Sequence, residues 1–380
     1  MTPTVEPGLV LVLNCGSSSL KYRLFAGEDT VAKGLVERIG EPGGDAPGHD
    51  SALREVMARL DLRGLAAVGH RVVHGGTRFS GPALIDDELV RTVRALIPLA
   101  PLHNPPNLSG IEVARRLLPG TPQVAVFDTA FHATLPPSAS TYAIDAELAS
   151  RHGIRRYGFH GASHAYVSRR TAAMLARPLE TVNSITLHLG NGSSACAVAG
   201  GRSVATSMGL TPLEGLVMGT RSGDLDPAVI FHLNRVGGLS LDEIDGMLNH
   251  RGGLLGLCGD NDMRSLLARR ADGDASATLA FDVYCARIKA YVGAYAALLG
   301  RLNAIAFTAG IGENAAAVRA AALSNLDAFG VVVDPDRNGT PGGGERLISP
   351  DGKPVAVFVI PTEEELEIAT QTISLVAGYP

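Results

Sequence analysis

The chain has 380 residues, of which 46% are hydrophobic and 19% charged, and its net charge is −5 at pH 7. This length predicts two domains, and this composition excludes an intrinsically disordered protein. Because there is no excess of basic residues, we expect neither a nucleic-acid partner nor attraction to anionic lipid. Any bound anion must therefore be held by local groups.

The cysteine pattern and the N-terminal segment bear on the cellular compartment. The four cysteines lie far apart, which argues against a disulfide framework and against a zinc knuckle. The first residues lack the basic segment of a secretory signal, and no stretch approaches the roughly 20 apolar residues of a membrane span. We therefore expect a cytoplasmic protein with no membrane partner.

A Gly/Ser/Asn turn between two apolar runs occurs twice. The first copy is LVLVLNCGSSSLKYRLF, residues 9–25, and the second is SITLHLGNGSSACAVAG, residues 184–200. Each pattern predicts a β-hairpin, and the Gly-Ser-Ser of residues 16–18 matches that of residues 192–194. Small residues let the backbone approach a phosphate closely. The pair therefore predicts two related half-domains that bind one polyphosphate.

Strands alternate with helical segments along the chain, which predicts the α/β class. The strand at residues 123–131 carries Asp128 at its end, and a Pro/Ser-rich transition follows it. We place the domain boundary in this transition, which gives domains at residues 1–145 and 146–365. The C-terminal helix, at about residues 366–380, is expected to pack back on the first domain.

Basic and polar residues near the turns are candidates for anion binding. Asn14, Ser17 and Lys21 cluster on the first hairpin, although the second glycine of a Walker A loop is missing. Arg71 and Arg221 lie beside glycines in otherwise apolar segments. Arginine presents a planar fork of donors that suits carboxylate and phosphoryl oxygens. The alternative for each arginine is a structural ion pair.

Histidines and carboxylates supply further candidates. His160 and His164 have i,i+4 spacing, but the glutamate of H-E-x-x-H and a third zinc ligand are missing, so His160 is better suited to donate to a developing anion. Asp128 and the glutamates at 363–365 are candidates for Mg²⁺, which prefers oxygen ligands. For the glutamates, stabilisation of the helix dipole is the alternative.

A G-x-G-x-x-A sequence at residues 310–315 competes with the kinase interpretation. We read it as a glycine turn between a strand and a helix, with Asp334 further on, which resembles a dinucleotide-binding fingerprint. A nicotinamide site would leave both hairpins, Lys21 and the two arginines unexplained. A nucleotide kinase uses all of them, with the turn close to the adenosine.

Nine segments identify a family resemblance: NCGSSSLKY, GHRVVHGG, APLHNPPN, FDTAFH, YGFHGASH, HLGNGSS, TPLEGLVMGTRSGDLDP, AGIGEN and IPTEEELEIA. They occur in the order found in acetate kinases, and the resemblance covers nearly the whole chain. It implies two duplicated ribonuclease-H-like domains of the actin-like ATPase group, with a nucleotide cleft between them. It also implies a homodimer.

The resemblance assigns roles by motif. It implies that Asn14 and Glu364 hold Mg²⁺, with Mn²⁺ as an alternative metal, and that Arg71 binds the acyl carboxylate. Glu363 stands where asparagine is commoner in the family. The remaining implied roles are Asp128 as the residue usually assigned to proton transfer, His160 and Arg221 in transition-state stabilisation, and Val73, Leu102 and Pro212 in the acyl pocket. The implied ATP contacts are Ser17, Lys21, His188, Leu189, Gly190, Asn191, Gly192, Asp262, Met263, Arg264, Gly310, Ile311, Gly312, Glu313 and Asn314.

The implied activity is the reversible, direct in-line transfer of the γ-phosphoryl group of Mg·ATP to acetate, which gives acetyl phosphate and ADP. A carboxylate nucleophile with a pKa of about 4 is already ionised at neutral pH. We therefore predict that Asp128 positions an arginine or a metal-bound water and does not act as a base. The alternatives are a propionate or butyrate kinase, an NAD-dependent oxidoreductase, and a non-catalytic ATP-driven chaperone or actin-like module. Val73 favours the smallest acid.

Overall fold

A computed structural model describes residues 8–378. The start of the predicted first domain and the end of the predicted C-terminal helix, residues 1–7 and 379–380, lie outside the described residues. The chain forms two compact units. Unit 1 ends at Ala133 and resumes at Glu363, and unit 2 is Thr134–Thr362. The division into functional domains at residues 1–145 and 146–365 stays a prediction.

The described strands of unit 1 form one sheet in the order β3-β2-β1-β4-β6-β5. Strands β1, β2 and β3 are antiparallel neighbours, whereas β1, β4 and β6 run parallel. The first predicted hairpin is confirmed, since β1 pairs with β2 along its whole length. The strands are β1 Leu9–Cys15, β2 Leu20–Ala26, β3 Asp29–Val36, β4 Leu65–Val72, β5 Ala83–Leu84 and β6 Gln123–Phe127.

Four α-helices of unit 1 lie against this sheet: α1 His49–Arg59, α2 Asp87–Ala95, α3 Asn104–Leu117 and α15 Glu364–Ala377. The C-terminal helix approaches β4 closely at Gly69. A Cβ atom there would lie 2.5 Å from the Thr372 hydroxyl oxygen and 2.9 Å from a methyl group of Ile368. Glycine at this position therefore allows the middle of α15 to pack closely on β4.

The sheet of unit 2 repeats this arrangement. Its order is β11-β12-β10-β7-β8-β9, so β9-β8-β7-β10-β12 corresponds to β3-β2-β1-β4-β6 with the same strand directions. The second predicted hairpin, the duplication and the α/β class are confirmed. The strands are β7 Asn183–Leu189, β8 Ser193–Ala199, β9 Arg202–Thr206, β10 Ala304–Thr308, β11 Arg346–Leu347 and β12 Ala356–Val359.

Helices cover both faces of the second sheet, and every residue of β10 is buried, as expected for a central parallel strand. No helix within residues 8–378 is both long and apolar enough to cross a membrane. The helices are α4 Pro137–Ser140, α5 Ala146–Arg151, α6 Gly161–Met174, α7 Ala228–Arg235, α8 Leu241–His250, α9 Gly253–Cys258, α10 Met263–Ala271, α11 Ala275–Leu299, α12 Ala309–Asn314, α13 Ala316–Ala322 and α14 Pro335–Gly339.

Candidate active site

A bidentate ion pair lies at the carboxyl ends of two neighbouring parallel strands of unit 1. Arg71 is near the end of β4, and Asp128 directly follows β6, as the sequence predicts. The Nε and Nη2 atoms of Arg71 lie 2.9 and 2.7 Å from the two carboxylate oxygens of Asp128, which is almost fully buried. Both oxygens of Asp128 therefore accept hydrogen bonds from one guanidinium.

The start of α15 brings further negative charge to this pair. Burial by itself lowers the pKa of Arg71, but the charge of Asp128, followed by those of Glu364 and Glu365, raises this pKa above its usual range. Arg71 is therefore charged at any pH at which the protein is folded. The structure thus gathers four of the residues that the sequence singles out at one edge of the sheet.

The three consecutive glutamates have different surroundings. Glu363 forms an ion pair with Arg23 on β2. Glu365, which is buried, forms an ion pair with Lys21 on the same strand, at 2.5 Å. Glu364 lies between them in the sequence, and of the glutamates at the helix start it raises the pKa of Arg71 the most.

The first hairpin turn is closed by a hydrogen bond from the Gly16 amide to the Ser19 carbonyl, at 2.8 Å. The imidazole of His49, at the start of α1, hydrogen-bonds the Gly16 carbonyl, also at 2.8 Å. Ser17 at the tip is exposed, and Asn14 lies opposite Lys21 in the β1–β2 pair. The Gly16 amide is therefore engaged within the turn, and phosphate binding by this turn stays a prediction.

The residues predicted for the acyl pocket differ in exposure. Val73 is buried, and its amide donates to the side-chain oxygen of Asn107 at 3.0 Å. Asn107 also donates to the Cys15 carbonyl, which links β1 to the end of β4. Leu102 is 52% exposed. Pro212 lies in unit 2, where its carbonyl accepts a hydrogen bond from Arg221.

A chain of hydrogen bonds in unit 2 starts at His160. This residue precedes α6 with φ of +58°, in the left-handed region that a residue other than glycine adopts at a cost. Its Nδ1 atom lies 2.9 Å from the Ser194 hydroxyl, which lies 2.7 Å from Nε2 of His164. The Nδ1 atom of His164 lies 2.7 Å from the Thr186 hydroxyl. The i,i+4 histidines thus share one serine.

The second Gly-Ser-Ser does not form a phosphate-binding turn of the predicted kind. Strand β8 begins at Ser193, so the turn consists of residues 190–192, and both serines are fully buried in the strand. Ser193 donates to the Gly190 carbonyl, and Ser194 joins the two histidines. Gly16 is the first residue of its turn, whereas Gly192 is the last residue of its own, so the same three letters occupy different positions in the two hairpins.

The side chains of Arg221 and His160 both lie close to Gly192. A Cβ atom on Gly192 would lie 2.7 Å from Nη2 of Arg221 and 3.5 Å from Nε2 of His160. The Nη1 atom of Arg221 donates to the Pro212 carbonyl at 2.6 Å. In the described part of the chain no carboxylate pairs with Arg221, and burial lowers its pKa. A partly buried guanidinium without a carboxylate partner is suited to bind an anionic ligand.

Two further contacts extend this group. The ring of His188 stacks on that of His160, with 4.2 Å between centroids. The carbonyl of Asn191 accepts the Gly219 amide at 2.9 Å, and its side chain accepts from Asn261 at 3.3 Å. Hydrogen bonds therefore connect the turn at residues 190–192 to the segments that contain Gly219 and Asn261.

Comparison with known proteins identifies the family. The model of the acetokinase family matches residues 9–370. A protein of Streptomyces griseus named acetate kinase is 58% identical over 400 aligned positions, which cover 98% of this chain and 97% of that protein. The chain belongs to the acetokinase family. It is an ATP-using kinase whose acceptor is the carboxyl group of a small molecule.

Solved structures agree with this assignment. The acetate kinase of Porphyromonas gingivalis has a TM-score of 0.92 and 41% identity, covering 97% of this chain and 100% of that one. A propionate kinase of Francisella tularensis has a TM-score of 0.91 and 41% identity, covering 97% and 99%. The fold predicted from the resemblance is therefore that of the acetokinases.

Two predicted nucleotide segments of this acetokinase have helical geometry. Asp262 caps α10 and accepts the Arg264 amide at 2.9 Å, while the Arg264 side chain is 91% exposed. The predicted glycine turn at residues 310–314 is wrong, because these residues form α12 directly after β10. Neither glycine has positive φ, and Ala309 makes the change of direction with φ of +63°.

Sequence reasoning missed several residues that support the site. Thr186 ends the chain of hydrogen bonds from His160, and Asn107 links two strands of unit 1. Glu214 and Asp224 lie in the TPLEGLVMGTRSGDLDP segment, and the sequence alone does not single them out. Their position beside Arg221 in that segment was the available signal.

Proposed function

We propose that this acetokinase catalyses the reversible transfer of the γ-phosphoryl group of Mg·ATP to acetate, giving acetyl phosphate and ADP. The observation that carries the proposal is the pair of partly buried arginines, Arg71 bonded to Asp128 and Arg221 without a carboxylate partner in the described chain. Donor and acceptor are both anions, so neutralising their charge is the main catalytic task.

On the acyl side, Arg71 binds the carboxylate of the acid. Asp128 holds the guanidinium in one orientation, because both of its oxygens bond the same fork. No base is required, since acetic acid, with a pKa of about 4, is ionised at neutral pH. We propose Val73, Leu102 and Pro212 as the contacts of the acyl chain.

On the phosphoryl side, Arg221 and His160 stabilise the charge on the transferring group. A loose, in-line transition state spreads this charge over the equatorial oxygens, where fixed donors lower the barrier most. Gly192 allows the two side chains to approach the turn, since a Cβ atom would occupy the space beside Arg221.

For the nucleotide, we propose that Lys21 and Ser17 contact phosphate. Lys21 would then share its ammonium group between phosphate and Glu365. The other proposed contacts with ATP are His188, Leu189, Gly190, Asn191, Gly192, Asp262, Met263, Arg264, Gly310, Ile311, Gly312, Glu313 and Asn314.

We propose that Asn14 and Glu364 hold Mg²⁺, with Mn²⁺ as a substitute. Among the described residues no group of three His, Cys, Asp or Glu side chains forms a metal cage. This fits Mg²⁺, which keeps waters and is usually held by one or two protein oxygens together with substrate phosphates. Glu363 forms an ion pair with Arg23, and we propose Glu364 as the ligand because the resemblance implies it. When bound, the metal neutralises charge on the nucleotide phosphates.

A propionate kinase is the second candidate, favoured by the similarity to the Francisella tularensis structure. A single methylene changes selectivity by only about 1–3 kcal/mol, so overlapping activities are expected. The buried, β-branched Val73 favours the shorter acid.

On the resemblance alone, we further propose that the protein is a cytoplasmic homodimer. Gel filtration with light scattering tests whether the chain forms a dimer.

A trapping assay tests the proposed reaction. The purified chain, incubated with acetate, Mg·ATP and hydroxylamine, should form acetohydroxamate and ADP in equal amounts. Addition of EDTA should stop both. ADP without hydroxamate, or hydroxamate that persists in EDTA, would contradict the proposal.

A further inference from the structure

The segment that carries Pro212 and Arg221 has no helix or strand, yet much of it is buried. Residues 207–224 form only turns and bends. Met208, Leu216 and Met218 are fully buried. Buried irregular backbone needs side chains to satisfy its amides and carbonyls and to fix its path. Two acidic residues of the segment, Glu214 and Asp224, are engaged in this way.

Glu214 fixes the first part of the segment. It accepts hydrogen bonds from the Tyr142 hydroxyl and from the Arg156 guanidinium. The other Nη atom of Arg156 donates to the carbonyls of Ser207 and Met208 at 3.0 and 3.1 Å. One partly buried ion pair therefore bonds the backbone that leads to Pro212, which precedes Glu214 by two residues.

Asp224 fixes the end of the segment to its middle. Its Oδ1 accepts the Gly215 amide at 2.8 Å, and its Oδ2 accepts the Tyr291 hydroxyl at 2.8 Å. Arg287 lies 3.3 Å from Oδ2 and donates to the Gly215 carbonyl at 3.2 Å. Asp224 follows Arg221 by three residues and bonds Gly215, so it connects the two ends of the stretch that carries the arginine.

Neither Glu214 nor Asp224 forms an ion pair with Arg221. The carboxylate oxygens of both are bonded to tyrosine, to other arginines and to backbone, while Arg221 bonds the Pro212 carbonyl. The acids thus hold the backbone on both sides of the arginine and leave its charge available to an anion. A misplacement of about 1 Å at such a group costs up to about 100-fold in rate.

We propose that Glu214 and Asp224 are positioning residues that hold Arg221 for phosphoryl transfer. The inference rests on the proposed role of Arg221. A merely structural role would lower stability, and its effect on the rate would be independent of the residue at position 221. A positioning role acts through Arg221 and disappears when that side chain is removed.

A double-mutant cycle separates the two roles. Glu214→Gln, Asp224→Asn and Arg221→Ala are made singly, and each acid substitution is combined with Arg221→Ala. The kcat and the KM for ATP and acetate are measured in the hydroxamate assay, and circular dichroism checks folding. Glu345→Gln is the matched control, because Glu345 pairs bidentately with Arg170 elsewhere in unit 2.

Each acid substitution should lower kcat by about 10- to 100-fold, with the KM for ATP changed by less than about threefold, and Glu345→Gln should keep the wild-type kcat. In the Arg221→Ala background the added loss should be under about twofold. An equal loss in both backgrounds, or an unchanged kcat, overturns the inference. If Asp224→Asn does not fold, Glu214→Gln decides it. Full activity of Arg221→Ala instead overturns the proposed role of Arg221.

Discussion

The two partly buried arginines, Arg71 and Arg221, differ in their partners. Arg71 has a bidentate carboxylate partner that keeps it charged and oriented. Arg221 bonds a single backbone carbonyl, and within the described chain no carboxylate pairs with it. The first arrangement suits the recognition of a stable carboxylate ligand. The second leaves charge for a group whose negative charge changes during reaction.

The Arg71–Asp128 pair predicts the behaviour of Asp128→Asn. The variant should lose at least about 100-fold in kcat, because an amide cannot accept both bonds of the charged fork. The shape of its pH–rate profile should remain that of the wild type, since no proton is removed from ionised acetate. Asp87→Asn, at an exposed acid paired with Arg115 in the same unit, is the control.

A different shape of the pH–rate profile of Asp128→Asn would contradict this prediction. If Asp128→Asn recovers activity as pH rises, along a single ionisation, then Asp128 acts as a base.

The serine between two histidines gives a second prediction for single residues. Ser194→Ala removes the hydroxyl that joins His160 and His164, so the imidazole of His160 loses its fixed orientation. We expect kcat to fall by roughly tenfold. Ser203→Ala, which removes another fully buried hydroxyl from the same sheet, should keep its kcat. Wild-type turnover in Ser194→Ala would show that the serine does not orient His160.

At the level of elements, the two hairpins were predictable because apolar runs around small residues are local patterns. The function of the serines was not. In the first hairpin they lie in the turn, whereas Ser193 and Ser194 lie in β8. The Gly-Ser-Ser begins at the first residue of the first turn and at the third residue of the second, and no local propensity specifies this. The partners of Ser194, His160 and His164, precede it by 34 and 30 residues.

The prediction of a glycine turn where α12 lies was wrong for a physical reason. Glycine is a poor helix former, so Gly310 and Gly312 favour a turn on propensity alone. The strand nevertheless runs into a helix, and a Cβ atom on Gly312 would contact the backbone of Phe307 and Leu187 at 3.5 and 3.6 Å. Packing against β7 and β10 therefore overrides the local preference.

The turn of the second hairpin gives a prediction at this scale. Gly192→Ala places a methyl group 2.7 Å from Nη2 of Arg221, so the guanidinium must move. The fold should persist while kcat falls by about tenfold or more. Gly293→Ala in α11, where a Cβ atom meets nothing within 4 Å, should keep kcat and add about 0.5–1 kcal/mol of stability. Equal turnover in both variants would contradict the close approach of Arg221.

For the whole molecule, the duplicated sheet explains why the class and the repeat were predictable. The first two strands of each sheet form a hairpin, and the hairpin is the most local part of the repeat. The pairs that build the site join distant positions: Arg71 with Asp128, and Ser194 with His160. Composition and periodicity carry no information about such pairs, so only the family resemblance could point to them.

The buried His70 makes stability depend on pH. Burial lowers its pKa from 6.5 to about 4, although its hydrogen bond to Gln123 opposes the shift. The unfolded chain therefore binds the proton first, and roughly 3 kcal/mol of stability is lost as pH falls from about 6.5 to about 4. In urea unfolding, His70→Leu should be less stable at neutral pH but lose less stability on acidification.

Exposed His152 supplies the control for this prediction. His152→Leu should keep the acid dependence of the wild type. An unaltered acid dependence in His70→Leu would show that His70 is not the group responsible.

The most direct test of the central claim compares acetate, propionate and butyrate as acceptors from Mg·ATP, with ADP formation and hydroxamate trapping measured together. We predict acid-dependent ADP with all three and a kcat/KM that falls by at least about tenfold for each added methylene. No acid-dependent ADP with any of the three would contradict the proposed activity, and a maximum at propionate would reassign the substrate.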